Sequence, residues 1–135
     1  SCESFTVGQF GAGLGSVSGA SNTYKGTLVT YQTMIKTDVL KVNRQLVNEY
    51  GVVSEAIAKE MCLKGKTYFT SDICVSFTGN AGPEAMENKP VGLIYIGINF
   101  LDKITTYEYH LVGSRAMIQK QAVHIAEKKL LDMLG

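Results

Sequence analysis

The sequence predicts a single α/β domain, a three-layer α/β/α sandwich built around a mixed, mostly parallel sheet. Three observations carry that prediction. The run VGLIYIGINF (residues 91–100) is apolar at consecutive positions, as a strand buried on both faces must be. Segments rich in β-branched and aromatic residues alternate with segments whose apolar residues recur at helical spacing. The chain of 135 residues, 45% of them hydrophobic, is long enough to bury one core and contains no internal repeat or low-complexity tract.

Each element follows from local chemistry. The opening SCESFTVG reads as the end of a strand turning into a helix. In that helix Gly8, Gly11 and Gly15 lie three and four apart and form a small-residue face, while Phe10 and Leu14 are spaced to pack. SVSGASNTY is a loop by composition, and TLVTY (27–31) is a strand. Thr33 is the expected cap of the helix MIKTDVLKV (34–42). Asn43 caps RQLVNEY (44–50), which Gly51 closes, and Ser54 with Glu55 opens a longer helix striped by Ile57, Ala58, Met61 and Cys62. DICVSF (72–77) and ITTYEYHLV (104–112) are further strands. The second is antiparallel to VGLIYIGINF because only LDK joins them. The last helix runs from the Ser114 cap to Gly135, with Met117, Ile118, Ala122, Ile125, Ala126 and Leu130 expected on its buried face.

Composition excludes several function classes. Lys and Arg number 13 against 12 Asp and Glu, so no net field recruits nucleic acid or an anionic membrane, and an anionic ligand has to be held by local groups. Cys2, Cys62 and Cys74 lack CxxC spacing and are expected to be buried thiols of a reducing compartment. No run approaches the about 18 apolar residues of a membrane span, and a soluble cytoplasmic protein is the expectation.

Two tempting motifs fail. Gly65-Lys66-Thr67 is no phosphate loop, because Glu60 stands where the motif needs glycine, and it is expected near a helix C-terminus. GAGLGS provides Gly11 and Gly13 but has Ser16 where the dinucleotide fingerprint needs its third glycine. His110 and His124 have no partners at ligand spacing, so neither a metal nor a cofactor is expected. The chemistry then falls to three segments at strand ends or helix starts: CESFTVG, VTYQTMIK and FTGNAGPEAMENKPVG. Taken alone, Ser4 is a helix cap or a nucleophile, Lys36 a solvated charge, and Thr78 a strand-end hydroxyl.

Together these segments resemble the CinA C-terminal domain family, the nicotinamide-nucleotide amidohydrolases. Cys2 to Gly8 resembles the family's AESCTGG, and Val29 to Lys36 resembles VTYSNEAK at the same spacing. Tyr50 to Ala56 resembles HGAVSEE, Thr78 to Pro83 resembles TGIAGP, Lys89 to Tyr95 resembles KPVGTVY, and Gly113-Ser114-Arg115 resembles GDR. The chain departs from the pattern at Phe5, Val7, Gln32 to Ile35, Glu84 to Glu87 and Ser114. The resemblance implies hydrolysis of the amide of nicotinamide mononucleotide to nicotinic acid mononucleotide and ammonia. Ser4 is then the nucleophile, Lys36 its base and Tyr31 a relay or orienting group, with Thr6, Gly8, Thr78, Gly79 and Arg115 binding substrate. Backbone N–H groups after Ser4 would stabilise the oxyanion, a contribution of about 3 kcal/mol per donor. It also implies a homodimer, and a domain over residues 1–135 that lacks its N-terminal helix and first strand. The alternative is a non-catalytic nucleotide-binding or dimer-scaffold module with the same fold.

Overall fold

The structure is a computed structural model that describes residues 1–135. Five strands, β1 (Cys2–Glu3), β2 (Leu28–Val29), β3 (Ile73–Gly79), β4 (Leu93–Phe100) and β5 (Lys103–His110), form one sheet in the order β2-β1-β3-β4-β5. β1 runs parallel to β2 and β3, whereas the longer β3, β4 and β5 pair antiparallel, with Cys74 opposite Asn99 and Ile96 opposite Tyr107. The sheet is mixed as expected but antiparallel, not parallel, over most of its paired length, because the parallel strands β1 and β2 are only two residues long. The helices are α1 (Gln9–Gly15), α2 (Thr33–Asp38), α3 (Arg44–Tyr50), α4 (Glu55–Phe69) and α5 (Arg115–Leu134). None is long and apolar enough to cross a membrane.

The expected three layers are present because the central strands carry two useful faces. Val75 and Phe77 of β3 and Ile94, Ile96 and Ile98 of β4 alternate onto one side, where Phe10 of α1 and Ile118, Ala122 and Ala126 of α5 cover them. On the other side Cys2 and Cys74 meet Ile57, Met61 and Cys62 of α4, with Leu40 and Val42. The second face is made of small groups, so α4 lies close to it. A Cβ at Gly97 would come within 2.7 Å of the Ala58 carbonyl, which already accepts the Ser76 hydroxyl at 2.6 Å. The three cysteines are free, buried thiols.

Asn43, Ser54 and Ser114 cap their helices through side-chain oxygens, as their positions predict. Three local expectations need correction. Thr33 lies inside α2 rather than capping it. Gln32 takes the cap position without a side-chain bond, and the helix stops at Asp38 because Leu40 and Val42 turn into the core. The strand TLVTY shrinks to two residues, since the carbonyls of Thr30 and Tyr31 are turned to the Lys36 ammonium instead of a neighbouring strand. Met117 is 55% exposed, one position round the helix from the buried stripe that begins at Ile118. Gly65 lies within α4, which runs on to Phe69.

Candidate active site

Ser4 follows β1 directly, and its N–H donates to the Phe77 carbonyl of β3 at 3.0 Å, so the sheet itself fixes the start of the turn. Glu3 fixes the rest. Its fully buried carboxylate accepts from the Thr6 hydroxyl at 2.7 Å, from the Phe10 and Gly11 N–H groups at 3.1 and 2.8 Å, and from the Ser1 hydroxyl at 3.0 Å. A carboxylate thus satisfies the free amides at the start of α1, which no side chain of its cap residue Gly8 could do. From α5, the Gln119 carboxamide donates to the Phe5 carbonyl at 2.8 Å and is itself held by Gln9 at 2.9 Å. Because the peptide unit is planar, that bond also sets the direction of the Thr6 N–H. The N–H groups of Phe5 and Thr6 bond no protein acceptor.

Lys36 reaches Ser4 from the third residue position beyond the start of α2. Its Nζ lies 3.0 Å from the Ser4 Oγ, 2.6 Å from the Thr30 carbonyl and 3.4 Å from the Tyr31 carbonyl. The side chain is 1% exposed and has no carboxylate within ion-pair distance. Burial pulls the ammonium down from its ordinary 10.5 to about 8, against an opposing pull from the Glu87 carboxylate.

Ser4 and Lys36 open on a cavity of about 560 Å³ whose other walls include Tyr31, Thr78, Gly79, Asn80 and Arg115. Six of the eight residues expected at the site are therefore brought together. Their contacts differ from expectation in detail. The Tyr31 hydroxyl is not between Ser4 and Lys36; it accepts from Arg115 Nη2 at 3.0 Å, and Tyr31 touches the lysine only through its carbonyl. Arg115 Nη1 donates to the Gly82 carbonyl at 2.7 Å, tying the start of α5 to the glycine loop. Thr78 spends its hydroxyl on the Val52 carbonyl at 2.6 Å. Thr6 and Gly8 lie outside the cavity. Thr6 is fully buried on Glu3, and Gly8, with φ 87°, makes the left-handed entry into α1, so both shape the turn rather than face a ligand.

Four residues were missed. Glu3 and Gln119 brace the nucleophile turn. Asn80, 1% exposed, accepts from the Gly82 N–H at 3.1 Å and donates to the Lys89 carbonyl at 3.3 Å, which folds the glycine loop back on itself. Glu87 accepts from the Val52 and Val53 N–H groups at 2.9 and 3.1 Å. Of these only Glu3 carried a usable signal, an acidic side chain just ahead of a helix whose first turn has no acid or capping side chain of its own. No three His, Cys, Asp or Glu side chains converge in a way that could hold a metal ion.

The family model of the CinA C-terminal domain matches residues 1–134. The chain belongs to the CinA C-terminal domain family. Among CinA relatives, a protein named competence-damage inducible from Lactiplantibacillus plantarum is 38% identical over 122 residues, 90% of this chain and 29% of its own length. A CinA-like protein of Petrotoga mobilis is 38% identical over 133 residues, 98% of this chain and 33% of its own. The chain thus spans about a third of the length of the curated CinA relatives it matches. The crystal structure of a CinA superfamily protein from Escherichia coli shares the fold at a TM-score of 0.95 and 27% identity, over 98% of this chain and 77% of that one.

Proposed function

We propose that this domain deamidates nicotinamide mononucleotide to nicotinic acid mononucleotide and ammonia, with Ser4 as nucleophile and Lys36 as base. The observation that carries the reading is the 3.0 Å contact between the Ser4 hydroxyl and a buried lysine amine on the wall of the cavity. A serine hydroxyl attacks an amide only when a neighbour takes its proton. A lysine of pKa about 8 is neutral in roughly one molecule in ten at pH 7, against about one in three thousand for an ordinary lysine. The neutral amine has two N–H groups and one lone pair. The carbonyls of Thr30 and Tyr31 take the two hydrogens, which leaves the lone pair for the Ser4 proton.

The reaction then balances without another titrating group. Ser4 Oγ bonds to the amide carbon as its proton passes to Lys36 Nζ, and the carbonyl oxygen becomes an oxyanion, for which the uncommitted N–H groups of Phe5 and Thr6 are the donors at hand. Lys36 returns the proton to the departing nitrogen, releasing ammonia and leaving an ester on Ser4. Water attacks that ester with Lys36 again accepting the proton, and collapse restores the Ser4 hydroxyl and frees the acid. In the same proposal Arg115, Gly79 and Thr78 frame the nucleotide end of the cavity. The domain works as a cytoplasmic homodimer in salvage of pyridine nucleotides, without metal, cofactor, nucleic acid or membrane. Kinetics of Ser4→Ala, Lys36→Met and the double variant test it. Each single change should lower kcat by about 10³-fold or more, and the double should be little worse, because the pair acts as a unit. Independent, multiplying losses would contradict the pairing.

A further inference from the structure

We propose that Glu87 is a positioning residue of this site, latching the loop that carries Glu84 and Met86 onto the α3–α4 junction and so setting the cavity wall that Val52 and Thr78 contribute. This rests on the amidohydrolase reading of the same cavity. Residues 84–89 form a tight reversal in which Met86 and Lys89 bridge, and Glu87 and Asn88 at its tip both have positive φ, 54° and 58°. Two consecutive left-handed residues are the geometry of the tightest hairpin turns, and Glu87 is a costly residue to hold there. The turn presents its carboxylate to two adjacent N–H groups, those of Val52 and Val53.

Lys89 completes the latch by donating to the Tyr50 carbonyl at 2.8 Å and the Val53 carbonyl at 2.5 Å, and it pairs with Glu87 at 3.4 Å. One acid and one base thus satisfy donors and acceptors of the same stretch, from Tyr50 at the end of α3 to Val53 ahead of α4. Gly51 makes room for them, since a Cβ there would lie 2.5 Å from the Glu87 Oε1. The link continues inward. The peptide that gives Glu87 its Val52 N–H belongs to a residue whose carbonyl takes the Thr78 hydroxyl at 2.6 Å, and Val52, Thr78 and Met86 all face the cavity with Lys36.

Charge reaches the base as well as shape. Around Lys36 stand the Ser4 hydroxyl and the Thr30 and Tyr31 carbonyls, with Arg115 and Glu84 on other walls of the cavity, and Glu87 is the charged group whose field holds the lysine up against burial. Burial raises the Glu87 carboxyl, but the Val52 and Val53 N–H groups and Lys89 outweigh it and keep it below its ordinary value, so it is charged wherever Lys36 titrates.

The experiment compares the protein with Glu87→Gln and Glu87→Asp by three readouts. The ¹³Cε shift of Lys36 in lysine-labelled protein, assigned with Lys36→Met, gives its titration midpoint. Exchange of the Val52 and Val53 amides gives the latch, and ammonia release from nicotinamide mononucleotide at pH 9 gives KM and kcat. In Glu87→Gln the Lys36 midpoint should fall below the parent's, the two amides should exchange about tenfold faster or more, and KM should rise about tenfold, more than kcat falls. Glu87→Asp should return the midpoint toward the parent's. An unchanged midpoint together with unchanged exchange overturns the proposal. If Glu87→Gln does not fold, the parent decides: protected Val52 and Val53 amides uphold the latch, and amides exchanging like an open loop refute it. A parent that releases no ammonia while midpoint and exchange respond to Glu87 would overturn the amidohydrolase reading and leave the latch standing. An active parent in which neither responds would do the reverse.

Discussion

Replacing Lys36 by Met removes a cation that the fold holds at a cost, and the size of that cost follows from the structure. In the folded protein Lys36 gives up its proton near pH 8, and in the unfolded chain near its ordinary 10.5. Between those values the unfolded chain binds more protons, so raising the pH favours the folded state. The burden of burying the ammonium is full below about pH 8 and is relieved as the pH climbs toward 10.5. At about 1.4 kcal/mol per pH unit, that interval amounts to roughly 3 kcal/mol. Met has nearly the same length and no charge, so Lys36→Met lacks this dependence. It also leaves the Thr30 and Tyr31 carbonyls without their donor, but that loss is the same at every pH and cancels from the slope. Urea unfolding of both proteins from pH 7 to pH 10 measures it. The parent should gain up to about 2 to 3 kcal/mol relative to the variant across that range. Parallel stability curves would show that Lys36 is not held at a depressed pKa, and the argument for a neutral base would fall with it.

Three further outcomes follow from particular contacts. Glu3→Gln keeps the shape of the side chain but turns an amide NH₂ toward donors from Thr6, Phe10, Gly11 or Ser1. The expected loss is roughly 3 kcal/mol by urea unfolding, and a loss below about 1 kcal/mol would contradict its bracing role. Tyr31→Phe removes the hydroxyl that accepts from Arg115, so KM for the nucleotide should rise several-fold while kcat changes little. A kcat loss of about 10²-fold or more would restore the relay role that the Arg115 contact argues against. Light scattering at micromolar concentration should give twice the 14.7 kDa chain mass, and a monomer would contradict the proposed dimer.

What was legible in the sequence was whatever a single side chain or a period declares. The unbroken apolar run of β4 shows a strand covered on both faces, and Ser54 and Ser114 mark helix starts because a short hydroxyl ahead of an apolar stripe satisfies free amides. Ser4, Tyr31, Lys36, Thr78, Gly79 and Arg115 came from family pattern rather than from chemistry visible in any one of them, and they do share a cavity. The directions of their bonds were not legible. Tyr31 turns to Arg115 and Thr78 to Val52, partners on distant segments of the chain, and such pairings span 84 and 26 residues. Glu87 escaped notice for the same reason, an unremarkable acid until the fold sets the N–H groups of the α3–α4 junction against it, whereas Glu3 stood just ahead of a helix start that has no capping side chain of its own. The two-residue strands β1 and β2 are too short to show a period, and the carbonyls that would have extended β2 belong to Lys36.

The central claim is that Ser4, activated by Lys36, opens the amide of nicotinamide mononucleotide. Ammonia and nicotinic acid mononucleotide measured together, with the protein and with Ser4→Ala under identical conditions, test it most directly. The account predicts equimolar formation of both products by the parent and a loss of about 10³-fold or more in Ser4→Ala, with substrate binding retained. Equal rates in the two proteins, or a parent that binds the nucleotide and releases no ammonia, would contradict it and leave the fold as a nucleotide-binding scaffold.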